Sequence, residues 1–228
     1  MMIIHGENNL LSRQRLTNEI SNFRLKTKGE VLRFIGDELV FLLLKQALEP
    51  STLLGEKRLV VIENLFSGRK TKEKEKIMEY LKKLNPPNLL IWEGKKIDGR
   101  VLTPFRGQIL RFDLTPLLFH FLDSLAPKNE RLSLNLLHEC LVQESPEIVF
   151  FMLTKQVKYL ILAADLGKKG LGQMESWRAE KLIRQAQKFT LIKLMKIYRQ
   201  LLKIEVQQKT GQTPFTLSSQ LDLLVASL

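Results

Sequence analysis

Apolar positions along the chain change their period once, close to residue 114. Before that point short continuous apolar runs alternate with stretches of helical period. "MIIH" (residues 2–5) runs into Gly6 and reads as a first strand, after which Leu10, Leu11, Leu16, Ile20 and Phe23 recur at near-helical spacing. "VLRFI" (31–35) reads as a second strand and "DELVFLLLKQAL" (37–48) as a helix, opened by Asp37 as its cap and stopped before Pro50. "RLVVIEN" (58–64) is a third strand. The charged helix "KTKEKEKIMEYLKKL" (70–84) follows and ends at Asn85, Pro86 and Pro87, and "NLLIWE" (88–93) and "QILRFD" (108–113) supply strands four and five. Strands alternating with helices imply a largely parallel sheet covered on both faces.

After Asp113 every segment has helical period, and Pro, Gly, Ser or Asn separates one from the next. About six helices are expected, starting at "TPLLFHFLDSLA" (115–126) and ending at "TLSSQLDLLVASL" (216–228). The sequence "DLTP" marks the boundary, because a proline can open a helix but not continue a strand. The expected organisation is an α/β domain over residues 1–114 and an all-α domain over residues 115–228.

Composition adds charge to this picture. The 228 residues are 44% hydrophobic and 26% charged, ordinary for a globular chain, with a formal net charge of +12. Residues 1–114 hold 21 Lys and Arg against 14 Asp and Glu, and residues 115–228 hold 15 against 10. A basic excess attracts phosphate backbones through counterion release, so it fits work near nucleic acid. Its even spread fits a basic protein without that role equally well. No apolar run approaches the roughly 20 residues of a membrane span, and "MMIIHGENN" has no signal-peptide core, so a cytoplasmic protein without membrane contact is expected. Cys140 is the one cysteine and the three histidines are far apart, which leaves no disulfide and no metal set; no cofactor is expected.

Candidate chemistry centres on the loop after the first strand, where a nucleotide-binding α/β domain places glycines and a lysine around phosphates. Here the loop is "HGENNLLS", with one glycine, no Lys-Ser or Lys-Thr pair, and Glu7 where an anion would sit. No ATP hydrolysis is expected from it. Glu63 at the end of the third strand reads as a cap or surface acid, and His5, His120 and His138 as packing or surface residues. Phe150, Phe151 and Met152 read as core, and "GRKTKEKEKIMEYLKK" as a solvated helix face with paired charges. Trp177 opens a helix carrying Arg178, Lys181, Arg184 and Lys188, a basic stripe toward water, DNA or a partner subunit.

Several stretches together resemble the delta subunit of the bacterial DNA polymerase III clamp loader. "IIHGENNLLSRQRL" is similar to that family's opening strand with its non-working phosphate loop. "STLLGEKRLVVIENL" is similar to its apolar pair followed by a strand. "SWRAEKLIRQAQKFTLIKLMKIYRQLLKIEVQQKTG" resembles its C-terminal helices, and "FHFLDSLAPKNERLSLNLLHECLVQESPEIVFFMLTKQVKYLIL" the start of the same helical collar. The resemblance implies a truncated ATPase-like sheet domain without a working phosphate loop, followed by a collar domain. It implies a non-catalytic part of the polymerase III holoenzyme that binds the sliding clamp, helps open the ring and joins other clamp-loader subunits through its C-terminal domain, with primer-template DNA nearby. Leu53 and Leu54, after Ser51 and Thr52, match the family's clamp-binding pair. Two departures stand out. The small lid domain usual after the α/β domain has no counterpart between "ILRFD" and "TPLLFHFLDSL", and the pair is Leu-Leu where an aromatic often takes the second place. The competing readings are a stand-alone basic nucleic-acid-binding protein, carried by the charge alone, and a P-loop enzyme with a degenerate motif, against which "HGENNLLS" speaks.

Overall fold

The computed structural model describes residues 1–49, 57–172 and 174–228. The apolar runs form a five-stranded, all-parallel sheet in the order β2-β3-β4-β1-β5, built from β1 (Met2–His5), β2 (Glu30–Ile35), β3 (Arg58–Glu63), β4 (Leu89–Glu93) and β5 (Gln108–Arg111). The three central strands are apolar almost throughout because both of their faces are covered. Ile3, Val60, Ile62, Leu89 and Ile91 pack on one side. Ile4, Leu59, Val61, Leu90 and Trp92 pack on the other. The edge strands β2 and β5 stay half open to solvent.

Helices close both faces. α1 (Asn9–Thr27) lays Leu16 and Ile20 on the Trp92 face; α2 (Phe41–Leu48) and α3 (Lys72–Leu84) bring Leu44, Ala47, Ile77 and Leu81 to the Ile62 face. Burying each of these leucines and isoleucines contributes about 1.5–3 kcal/mol. Asn8 caps α1 by accepting from the Leu11 amide, and Thr71 caps α3 by accepting from the Lys74 amide. The expected Asp37 cap of α2 is not formed. That helix starts four residues later, its first amide donates to the Glu73 carboxylate, and Asp37 instead pairs with the buried ammonium of Lys74. A single turn, α4 (Gly99–Leu102), absent from the hydrophobic pattern, puts Leu102 into the core before β5.

Residues 112–115 alone join β5 to the first helix of the second half. The chain divides into compact units Met1–Leu114 and Thr115–Leu228. The second unit consists of α5 (Pro116–Ser124), α6 (Glu130–Gln143), α7 (Pro146–Leu166), α8 (Ser176–Ala186), α9 (Leu191–Thr210) and α10 (Leu217–Ala226), with a 3-10 turn at Gly167–Leu171. Thr115, Ser145, Thr190 and Thr216 each accept from an amide three residues on, and Pro116 and Pro146 occupy first-turn positions where no amide is required. The core is aliphatic, with Leu118, Phe121, Leu137, Val149, Leu194 and Leu221 fully buried. The buried amide of Gln185 donates to the Leu122 and Leu125 carbonyls, satisfying the orphan end of α5 from α8.

Candidate functional site

Chain connections leave β1 and β4 in opposite directions along the sheet, so the carboxyl ends of these neighbouring strands form the switch point where α/β domains bind ligands. The first residue there is Gly6, at φ +137°. A Cβ at this position would lie 2.0 Å from the Phe112 carbonyl oxygen, so glycine is required by the close passage of the chain leaving β5. It is a packing glycine and not the start of a phosphate cradle.

Counted from Gly6, a phosphate loop would place its Gly-Lys-Ser/Thr triplet at residues 11–13. This chain has Leu11, Ser12 and Arg13. Ser12 is buried; its hydroxyl accepts from the Trp92 indole at 3.1 Å and donates to the Asn9 carbonyl at 3.2 Å. Arg13 lies 3.4 Å over the Trp92 ring and pairs with Glu63 at 2.7 Å. The first amides of α1 are used internally as well, since Leu11 N donates to the Asn8 side chain and Ser12 N to the Asn8 carbonyl. The lysine position therefore holds a short hydroxyl that is already engaged, and the hydroxyl position holds an arginine. The acid ending β3, a natural metal ligand in such a site, is neutralised by that arginine. Nothing in this arrangement reaches phosphate oxygens or holds Mg²⁺ the way a working loop does.

On the opposite face of β4, Glu93 is fully buried. One carboxylate oxygen accepts from the Phe66 amide and the other has no hydrogen-bond partner. Burial raises its pKa, outweighing the Phe66 amide, the Ser67 hydroxyl and amide and the charge of Lys74, which pull it down. Lys74 is itself buried and donates to Asp37 and to the Ser67 carbonyl, so it does not belong to the solvated helix face expected from the charge pattern. Glu93 and Lys74 together fix the loop that follows β3.

The expected clamp-binding residues Ser51, Thr52, Leu53 and Leu54 lie outside the described residues. The helix preceding them, α2, exposes Leu42 and Leu43 at 60% and 51%, with Val40 at its start also open. Arg178, Lys181, Arg184 and Lys188 are all exposed. Lys181 pairs with Asp123, and Lys188 lies past the end of α8 at Ala186. Trp177 is exposed beside them and donates to Glu175. Of the residues expected in the core, Met152 is buried and Phe150 half-buried, but Phe151 is 64% exposed: three successive helical residues span 200° and cannot share one buried face. His5 is buried, His120 exposed, and His138 bonds Asp222 at 2.8 Å. Sequence reasoning passed over Ser12, Arg13, Trp92 and Glu93. The spacing from Gly6 was the available signal for the first two.

α9 carries two apolar faces. Leu194, Ile197, Leu201 and Ile204 are buried, while Leu191, Met195, Tyr198, Leu202 and Val206 form a second stripe that is open to solvent within this unit. Lys196, Arg199 and Lys203 flank that stripe and are exposed.

Residues 117–226, from α5 through α10, match the family described as DNA polymerase III delta subunit, C-terminal domain. A search of curated proteins finds no match. Among solved structures the chain is similar to the Bacillus subtilis DNA clamp loader delta protein, at 15% sequence identity over 99% of this chain and 94% of that one, with a TM-score of 0.44. Residues 117–226 are thus similar to the C-terminal domain of the DNA polymerase III delta subunit.

Proposed function

We propose that this chain is a non-catalytic clamp-loader subunit of a DNA polymerase III holoenzyme, working in the cytoplasm. It binds the sliding clamp, helps open one interface of the ring, and assembles with ATPase subunits that bind and hydrolyse the nucleotide. The family match of residues 117–226 carries this reading. The occupied loop after β1 supports its non-catalytic part, because Ser12 and Arg13 stand where a lysine and a metal-binding hydroxyl would be needed. Assembly is assigned to the helical unit, and the open stripe of Met195, Tyr198 and Leu202 on α9 supports it, since such faces mark contacts with other proteins. The exposed cations Arg178, Lys181, Arg184 and Lys188 are the residues this reading gives to DNA or to a neighbouring subunit.

Clamp binding is assigned to Leu53 and Leu54, with Ser51 and Thr52 beside them. Two leucines transferred fully into an apolar pocket contribute roughly 1.5–3 kcal/mol each before the costs of association, enough for a small hot spot. The test is capture of the sliding clamp and loader ATPases from the same organism on the immobilised chain, repeated with Leu53→Ala/Leu54→Ala. Wild-type capture of the clamp, weakened about 30- to 1,000-fold in the double variant, is the expected result. Undiminished clamp affinity accompanied by a large fall in melting temperature would return the pair to the core of the α/β unit and sink the assignment.

A further inference from the structure

On the side of β1 away from α1, an open cavity of about 700 Å³ lies at the carboxyl ends of β1 and β5, closed below by the segment around α4. It belongs entirely to the α/β unit. Its polar lining holds two cations, Lys96 from the turn after β4 and Arg111 from the end of β5, with the imidazole of His5 from the end of β1, the carboxylate of Asp98 and the hydroxyl of Thr103. Ile97, Leu102 and Ile109 line the remainder. Size and lining match sites that take a small molecule with one charged end and one apolar body.

The histidine defines the polarity of the cavity. The Ile97 amide donates to Nδ1 of His5 at 3.2 Å, so the neutral ring carries its proton on Nε2. Burial lowers the His5 pKa, and the charges of Arg111 and Lys96 lower it further against the opposing pull of Asp113. The ring therefore stays a neutral N–H donor in a positive field. Arg111 and Lys96 converge on the carboxylate of Asp113, the second at 3.9 Å. Asp98, the acid of the lining itself, is taken by Arg100 at 2.7 Å. The geometry thus resembles an anion site closed by an internal carboxylate, with a planar guanidinium that suits phosphate.

We propose that this cavity binds a phosphorylated small molecule of nucleoside-diphosphate size, its phosphates replacing Asp113 on Arg111 and Lys96 and its body lying against Ile97, Leu102 and Ile109. The site lies on the side of β1 away from α1, sharing only His5 with the start of the loop after that strand, and it stands whether or not the clamp-loader reading holds. Amide NMR of the full ¹⁵N-labelled chain tests it, with Ile97 as reporter because its N–H is bonded to His5. Pyrophosphate and ADP are titrated in turn, then a single-stranded DNA oligonucleotide. The expected result is a saturable Ile97 shift with both small ligands, tighter for ADP because its body is buried. Arg111→Gln weakens binding about 10- to 100-fold, the range for losing a charge-assisted hydrogen bond. Asp113→Asn tightens it, because the carboxylate that occupies Arg111 and Lys96 is removed. Non-saturable shifts scattered over lysine-rich surface, or equal affinity in wild type and Asp113→Asn, would overturn the proposal. A response to DNA alone would also overturn it, assigning the cations to a polymer backbone instead.

Discussion

At the scale of single residues, the end of β4 shows how one strand serves two environments. Trp92 faces α1 and holds the Ser12 hydroxyl and the Arg13 guanidinium, while Glu93 faces the other side and holds the loop after β3. Glu93 has a folded-state pKa above its unfolded one, so the folded chain binds the extra proton between the two values. Stability from this group is complete below the unfolded pKa and is lost as pH rises through the folded one. Glu93→Gln keeps an oxygen for the Phe66 amide and removes the ionisation. Melts over a pH series should show a smaller decline toward neutral pH for this variant than for wild type; parallel curves would mean that Glu93 does not titrate with folding. Gly6→Ala should cost far more, because a Cβ 2.0 Å from the Phe112 carbonyl forces the backbone apart at an already positive φ. A loss of more than about 2 kcal/mol in denaturant titration is expected, against at most a few tenths for an exposed surface change. That Gly6 opens no phosphate loop was legible from the missing lysine. What fills the loop instead was not, because Ser12 meets Trp92 and Arg13 meets Glu63 only through the sheet.

Elements were read well where their apolar period was long and failed where a distant charge intervened. The five strands and the six helices of the second unit follow the runs of the sequence closely. α2 begins late because Lys74 withdraws Asp37 from the capping position, and no local rule announces a partner 37 residues away. α4 escaped because one helical turn has too few residues to show a period. α9 offers the cleanest test at this scale, since its two apolar faces differ only in what covers them. Leu201→Ala removes a buried side chain and should cost about 2–5 kcal/mol in chemical denaturation. Reversing Lys196, Arg199 and Lys203 to Glu should shift the same curve by less than about 1 kcal/mol, because solvated charges contribute little to folding. A large loss from the reversals would place the cationic face inside. If the proposed assembly is correct, those reversals and Leu202→Ala weaken association with loader subunits while leaving the monomer's melt nearly intact.

For the whole molecule, the change from strand period to helical period coincides with a change in the kind of core. The first unit is held by a sheet whose apolar faces need α1, α2 and α3 to cover them. The second consists of helices that carry their own caps and bury one another's apolar faces, with Glu144 accepting from the Thr115 amide at its very start. That amide is therefore satisfied from within the helical unit and owes nothing to β5. A chain truncated to residues 115–228 should fold, because its size is that of an ordinary domain and its core is continuous. Calorimetry should give one cooperative transition with an enthalpy of about 80 kcal/mol, from roughly 0.7 kcal/mol per residue near 60 °C. Its far-UV spectrum should be helical without a sheet contribution. A broad transition carrying a small fraction of that enthalpy would mean that the helices need the α/β unit to order them, and the boundary drawn at Leu114 would then not be a boundary of folding.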